Sequence, residues 1–203
     1  MSFKRNSIRA ALIIGGAAIL VAGCGTDTDS THTDHSSAPM SVTSTSLPAS
    51  SVAQHNSADV MFNQMMIPHH AQAVTMAALV ATRTSNEKVR RLASAIKAAQ
   101  QPEIDQMTAR LRAWGQPTEL AEHGGHRMTG MISEDEMAQL TSARDTAFDR
   151  LWLQMMVRHH EGAVTMANAV LTDGTDPDTR KLASAIKVAQ QAEIKQMTAL
   201  LGQ

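Results

Sequence analysis

From about residue 57 onward, apolar side chains recur every three or four positions and polar ones fill the remaining faces. Leu92, Ile96, Ala99, Ile104, Met107 and Leu111 trace one such stripe, which marks an amphipathic helix. The stretch is dominated by Ala, Leu, Met, Gln, Lys and Glu, all good helix formers. The pattern then occurs a second time. Residues 59–77 match residues 149–167, and residues 90–109 match residues 180–199, always at an offset of 90. A unit repeated in this way cannot bury its apolar face alone and closes its core against the copy. Each copy reads as a helical hairpin, so the pattern predicts an all-α fold, a four-helix bundle made of two repeated hairpins.

Start and stop signals punctuate the helices. Thr84 with Glu87, Thr175 with Asp178, and Ser133 with Glu136 have the spacing of capping boxes, and the last opens a segment expected to lead into the second long helix. Pro177 suits a first helical turn and Gly174 is placed to end the helix before it. Pro68 and Pro102 interrupt the first copy, whereas Arg158 and Ala192 stand at those places in the second. An internal proline removes a backbone hydrogen bond, so kinks are expected in the first hairpin.

The chain before residue 57 follows other rules. Lys4, Arg5 and Arg9 give a basic start to an apolar run over residues 10–22. That run is shorter than the roughly 20 residues needed to span a bilayer, and it reads as an export signal. Residues 20–24, L-V-A-G-C, resemble a bacterial lipoprotein box. The resemblance implies cleavage after residue 23, acylation (palmitate among the chains) of Cys24, and anchoring at the outer face of the cytoplasmic membrane or in the cell envelope. Residues 24–56, rich in Ser, Thr and Asp with Pro39 and Pro48, then read as a disordered tether on which His32, His35 and His55 are solvated. The organisation expected is signal 1–23, tether 24–56 and bundle 57–203. Within the bundle, repeat 1 covers 57–113, the connector 114–132 and repeat 2 133–203.

Composition narrows the chemistry. The chain has no Tyr, three Phe, two Trp and a formal charge of −1, which excludes aromatic stacking platforms and phosphate-binding surfaces for nucleic acid. Its single Cys rules out an internal disulfide, a thiolate zinc cluster and a CxxC pair. His, Met and carboxylates remain, and Met is abundant at 14 residues. On the first helix Met65, His69 and Met76 fall near one stripe with Gln72 between them, while His70 and Met66 share a neighbouring stripe. The second copy carries Gln154, Met155, Met156, His159, His160 and Met166. Glu103 with Met107, and Glu193 with Met197, lie one turn apart on the partner helices and could face these sets.

A thioether is a neutral, soft donor that favours Cu(I), and imidazole binds copper and zinc alike. The set points to copper, Cu(I) ahead of other ions, against the alternative that the Met stripe is ordinary core. His123, His126, Met128 and Met131 form a second possible group of soft ligands on the glycine-bearing connector. Such a loop would complete a site only by folding over one end of the bundle.

The motif M-M-I-P-H-H-x3-V-x-M, its copy M-M-V-R-H-H-x3-V-x-M, and the trailing Q-x2-E-I-x-Q-M in each half resemble the bacterial family called domain of unknown function 305. The likeness covers residues 57–203 and implies a ferritin-like four-helix architecture. It further implies, for some members, extracytoplasmic copper binding. Carried over by position, the matching residues are Met66, His69, His70, Met76 and Met107, then Met156, His159, His160, Met166 and Met197.

Three functions compete at this level. The first is a non-enzymatic, membrane-anchored binder or buffer of copper. The second is a ferritin-like metal oxidase, but that chemistry on this architecture uses a Glu-x-x-His pair, and none occurs in the chain. The third is an envelope interaction protein whose Met-rich faces are exposed to a protein partner.

Overall fold

The computed structural model describes residues 55–119 and 128–202. The signal segment, Cys24, the tether histidines His32 and His35, and the connector histidines His123 and His126 lie outside the described residues. Among the described residues the fold is all-helical, with five helices: α1 (Ser57–Arg83), α2 (Glu87–Ala113), α3 (Glu134–Ser142), α4 (Asp145–Asp173) and α5 (Pro177–Leu201). None is long and apolar enough to cross a membrane.

The caps differ from those expected at two of three places. Asn86, not Thr84, caps α2, its side chain accepting from the Lys88 and Val89 amides. Asp176, not Thr175, caps α5, with Pro177 in the first turn as anticipated. Asn and Asp each stand immediately before the first turn, and they displace the Thr residues further upstream. Thr84 instead ends α1 and accepts a bond from the Asn86 amide. The Ser133–Glu136 box is formed, but the short α3 that it opens stops at Ser142. A separate start at Asp145, which adopts φ 51° in the left-handed region, begins α4. The bundle therefore has a fifth, short helix beside its four long ones.

Helices α1 and α2 run unbroken through Pro68 and Pro102. Pro102 lies on an exposed face, where water can take up the carbonyl that the missing N–H leaves free.

The α1–α2 and α4–α5 hairpins join along α1 and α4. His69 stacks on His159 across this seam, and the Trp152 indole N–H donates to the Met76 carbonyl at 3.0 Å. Met76 is seven residues after His69 and Trp152 is seven before His159, so α1 and α4 run antiparallel about a pseudo-two-fold axis at the histidine pair.

Apolar burial on either side of that axis holds the halves together. One cluster contains Met76, Ile96, Phe148, Trp152, Met156 and Met197; the other contains Phe62, Met66, Met107, Met166 and Ile186. Each such side chain contributes about 1.5–3 kcal/mol when fully buried. Each cluster also unites both copies: Met66 and Met107 pack with Met166, and the equivalent Met156 and Met197 pack with Met76.

Candidate metal centre

His69 and His70 sit midway along α1, and His159 and His160 midway along α4. All four are fully buried. Helix α1 buries positions 59, 62, 63, 66, 69, 70, 73, 76, 77 and 80, a repeat of three and four broad enough to turn two adjacent residues inward. The tandem histidines therefore share a face, where the expectation had put them on separate stripes.

The His69 and His159 ring centroids are 3.7 Å apart with planes tilted by 32°. The His159 and His160 centroids are 6.3 Å apart. His70 Nε2 lies 2.8 Å from Glu103 Oε2, and His160 Nε2 lies 2.7 Å from Glu193 Oε2. The helical spacing of Glu103 and Glu193 on the partner helices thus does bring them to the histidines. The remaining six ring nitrogens, both of His69, both of His159 and Nδ1 of His70 and His160, are buried without a hydrogen-bond partner.

Burial pushes the His69 imidazole down to about 3, with help from the charges of His70 and His160. The nearby Thr129 backbone opposes this shift without reaching hydrogen-bonding geometry. His159 is likewise held well below the usual imidazole range, first by burial and then by His69, His160 and His70. Both rings are therefore neutral near pH 7, the form in which imidazole offers a lone pair to a metal.

Thioethers flank this layer. Met66 and Met156 precede the tandem histidines by about one turn, and Met107 and Met197 follow Glu103 and Glu193 by one turn; all four are fully buried. Met76 and Met166, buried too, lie seven residues beyond His69 and His159, about 10 Å along the helix axis. Met155 is buried in the cluster with Trp152, while its counterpart Met65 packs only partly buried at the edge of the other cluster. Among the described residues no three His, Cys, Asp or Glu side chains gather around one point as a metal site. A third ligand here would come from another donor type, and the flanking thioethers supply one.

Residues 129–132, the described end of the connector before α3, lie over the middle of the bundle, not over one end. The Gln72 side chain donates to the Ile132 carbonyl and accepts from its amide, both at 2.8 Å. Gly162 occupies the matching place in the second copy, and a Cβ there would stand 2.1 Å from the Thr129 carbonyl oxygen. Gly130, with φ +84°, packs against the backbone of Arg158, His159 and Gly162. Residues 129–132 thus cross the seam beside His69 and His159. Met128 and Met131 are partly buried at this crossing and joined by a 3.1 Å turn bond between their backbones.

Three features differ from the sequence reading or went unnoticed in it. Gln154, taken with the second set, is exposed and corresponds by offset to Gln64, not Gln72. His55, expected to be solvated on the tether, stacks on Trp114 with centroids 4.3 Å apart. Gln100 and Gln190, one turn before the glutamates, are almost fully buried with side-chain atoms lacking partners; a glutamine recurring at offset 90 on an inward stripe was the available signal.

Fold and centre together define an all-helical bundle built of two His-His hairpins around a buried imidazole and thioether layer. The chain belongs to the DUF305 family, a domain of unknown function, whose family model matches residues 59–201. A DUF305 protein from Streptomyces coelicolor is 33% identical over 71% of this chain and 92% of its own, with a TM-score of 0.68. A DUF305 fragment from Deinococcus radiodurans is 39% identical over 72% of this chain and 97% of its own, with a TM-score of 0.67. CopM in its Cu(II)-bound form is 32% identical over 71% of this chain and 95% of its own, at TM-score 0.63; it has also been crystallised with Cu(I), with silver and in the apo form. No protein of curated function matches the chain.

Proposed function

We propose that this protein is an exported, lipid-anchored copper-binding protein that holds Cu(I) among the imidazoles of His69, His70, His159 and His160 and the flanking thioethers. Met66, Met107, Met156 and Met197 are the nearest sulfur donors by position, with Met65, Met76, Met155 and Met166 around them and Met128 and Met131 at the connector. The observation that carries this reading is the set of six buried ring nitrogens without partners in one layer. A buried polar atom left unpaired costs about 1–3 kcal/mol, so a fold that gathers six of them, three from each copy, is fitted to something that binds there. Neutral imidazole with thioether is a donor set for a soft ion. A bound copper ion would supply the electrophile that these lone pairs lack. CopM, solved with Cu(I), Cu(II) and silver, supports the same ion class here.

The interaction-protein reading requires Met side chains on the surface. Most of the repeated Met side chains are instead fully buried, and Met61 is the strongly exposed one among the described residues. The oxidase reading requires carboxylates shared on one ion, whereas Glu103 and Glu193 each bond to a separate histidine.

The test is a Cu(I) titration of the full chain against a competing chromogenic chelator, beside a variant with His69, His70, His159 and His160 all changed to Ala and checked for helix content. Wild-type binding no tighter than that of the variant would overturn the metal reading. Anchoring rests on residues 20–24 and is tested separately: Cys24→Ser should move the protein from the membrane to the soluble fraction.

A further inference from the structure

An imidazole binds a metal through one nitrogen, and the group held by the other nitrogen decides which one. At His70 that choice has been made by the fold. Nε2 lies 2.8 Å from Glu103 Oε2, while Nδ1 is buried without a partner. His160 repeats the arrangement, with Nε2 2.7 Å from Glu193 Oε2 and Nδ1 buried and unpartnered. An ionised carboxylate only accepts hydrogen bonds, so the proton in each bond sits on Nε2. In the neutral ring the lone pair is then on Nδ1. His69 and His159 differ, because neither of their rings has a hydrogen-bond partner and no carboxylate selects between their tautomers.

The two glutamates are also unlike the rest of the layer in exposure. Their side chains are 18% and 19% exposed while the histidines they hold are at 0%. Glu103 further lines an open cavity of about 470 Å³ with Gln106, Arg110, Asp178 and Lys181. Each carboxylate thus stands at the edge of the layer with its imidazole wholly inside.

We propose that Glu103 and Glu193 are positioning residues that fix the Nε2–H tautomer of His70 and His160, so that both rings present Nδ1 as the metal-binding atom. This rests on the metal reading above for the identity of the ligand, and on the two hydrogen bonds for the choice of nitrogen. Gln at either position keeps an acceptor oxygen and preserves the choice when that oxygen, not its amide NH2, faces the ring, while Ala removes it.

The experiment is long-range proton–nitrogen NMR on the ¹⁵N-histidine-labelled full chain at pH 8, first metal-free and then loaded with Ag(I). Expected in the metal-free chain are a protonated Nε2 and an unprotonated Nδ1 at His70 and His160, retained in Glu103→Gln and Glu193→Gln and lost in the Ala variants. On loading with Ag(I), Nδ1 should be the perturbed nitrogen. Loss of either glutamate to Ala should weaken Cu(I) binding by about 10–100-fold, as removal of an outer partner of a metal-bound histidine does, with Gln recovering most of it. The Nδ1–H tautomer or a doubly protonated ring in the metal-free wild type, or Ala variants that bind Cu(I) as the wild type does, would overturn the proposal. Should the wild type take up no Cu(I) or Ag(I), the metal reading fails instead, and the metal-free spectra still decide whether the glutamates select the tautomer.

Discussion

The two repeats carry the same chemistry and are held by different means. His69 and His159 face each other as equivalents, and so do the Glu103 and Glu193 pairs at their own histidines. Away from that layer the copies diverge. Where the first helix has Gln72 to grip Ile132, the second has Gly162 to admit Thr129. Where the first has Asp59, whose Oδ2 accepts from the Asn56, Thr175 and Asp176 amides, the second has Asp149, which accepts one bond from Asn86. Where the first has Pro68, the second has Arg158 paired with Glu136 of α3. Duplication preserved the polar layer, and residues 129–132 meet one copy through Gln72 and the other through Gly162, so the two copies cannot be alike there.

The largest expected effect tests the part that is equivalent. His69 has an ordinary imidazole value when unfolded and one of about 3 when folded, so below pH 6.5 the unfolded chain binds a proton that the folded chain refuses. Stability is then full above about pH 6.5 and falls as pH drops toward 3, by up to about 1.4 kcal/mol per pH unit. By pH 4.5 His69 alone removes on the order of 2–3 kcal/mol, and His159, shifted in the same direction, removes more. Urea unfolding of the metal-free chain at pH 7 and pH 4.5 should show this loss. His69→Gln and His159→Gln should each flatten the slope to a similar degree; unequal flattening breaks the equivalence of the halves.

Next comes the site where the halves are least alike. Gly162→Ala places a methyl group 2.1 Å from the Thr129 oxygen and 2.7 Å from Gly130 Cα. Both are backbone atoms, so the connector must lift off α4. A loss of about 3 kcal/mol is expected, at the upper end of overpacking costs, with faster hydrogen exchange at Gly130 and Ile132. Gln72→Ala removes two bonds to Ile132 and should cost about 1–3 kcal/mol. Thermal melts that rank Gln72→Ala above Gly162→Ala would show that the grip, not the close approach, fixes the connector.

The repeat and the all-helical class were legible because they depend on periodicity, which the sequence displays directly. The inward turn of both His69 and His70 was missed because a stripe was drawn through single positions, whereas a packed helix buries pairs such as Phe62 with Asn63 and Met76 with Ala77. The Asn86 and Asp176 caps were passed over for a Thr with an acidic residue three places on, although a better capping residue stood closer to each helix start. The meaning of Gly162 could not be read at all. Its space is filled by residues 129–130, and no local pattern says which segment will cross which helix.

Asp59 and Asp149 give a smaller contrast. Asp59 is fully buried and ties the start of α1 to the turn before α5, so Asp59→Ala removes the bonds that its carboxylate accepts from the Thr175 and Asp176 amides. About 2–3 kcal/mol is expected. Asp149→Ala gives up one bond to the exposed Asn86 and should cost about 0.5–1.5 kcal/mol. Equal losses in chemical denaturation would mean that the two ends of the pseudo-symmetric bundle are braced alike despite their different bonding.

The smallest effect belongs to Arg158, which stands where the first copy has Pro68. Its Nη2 lies 2.5 Å from Glu136 Oε1, and both side chains are substantially exposed. An exposed pair of this kind is worth about 0–1 kcal/mol and is screened by salt. Arg158→Ala should therefore lower stability by less than about 1 kcal/mol at low ionic strength, and by almost nothing in 1 M salt. The pair is the main polar link between α3 and α4 among the described residues, so its loss should appear as raised hydrogen exchange in α3 while α4 and the histidine layer stay protected. A drop of several kcal/mol, or exchange spreading to His159 and His160, would show that α3 supports the layer and that the second half depends on a brace the first half does without.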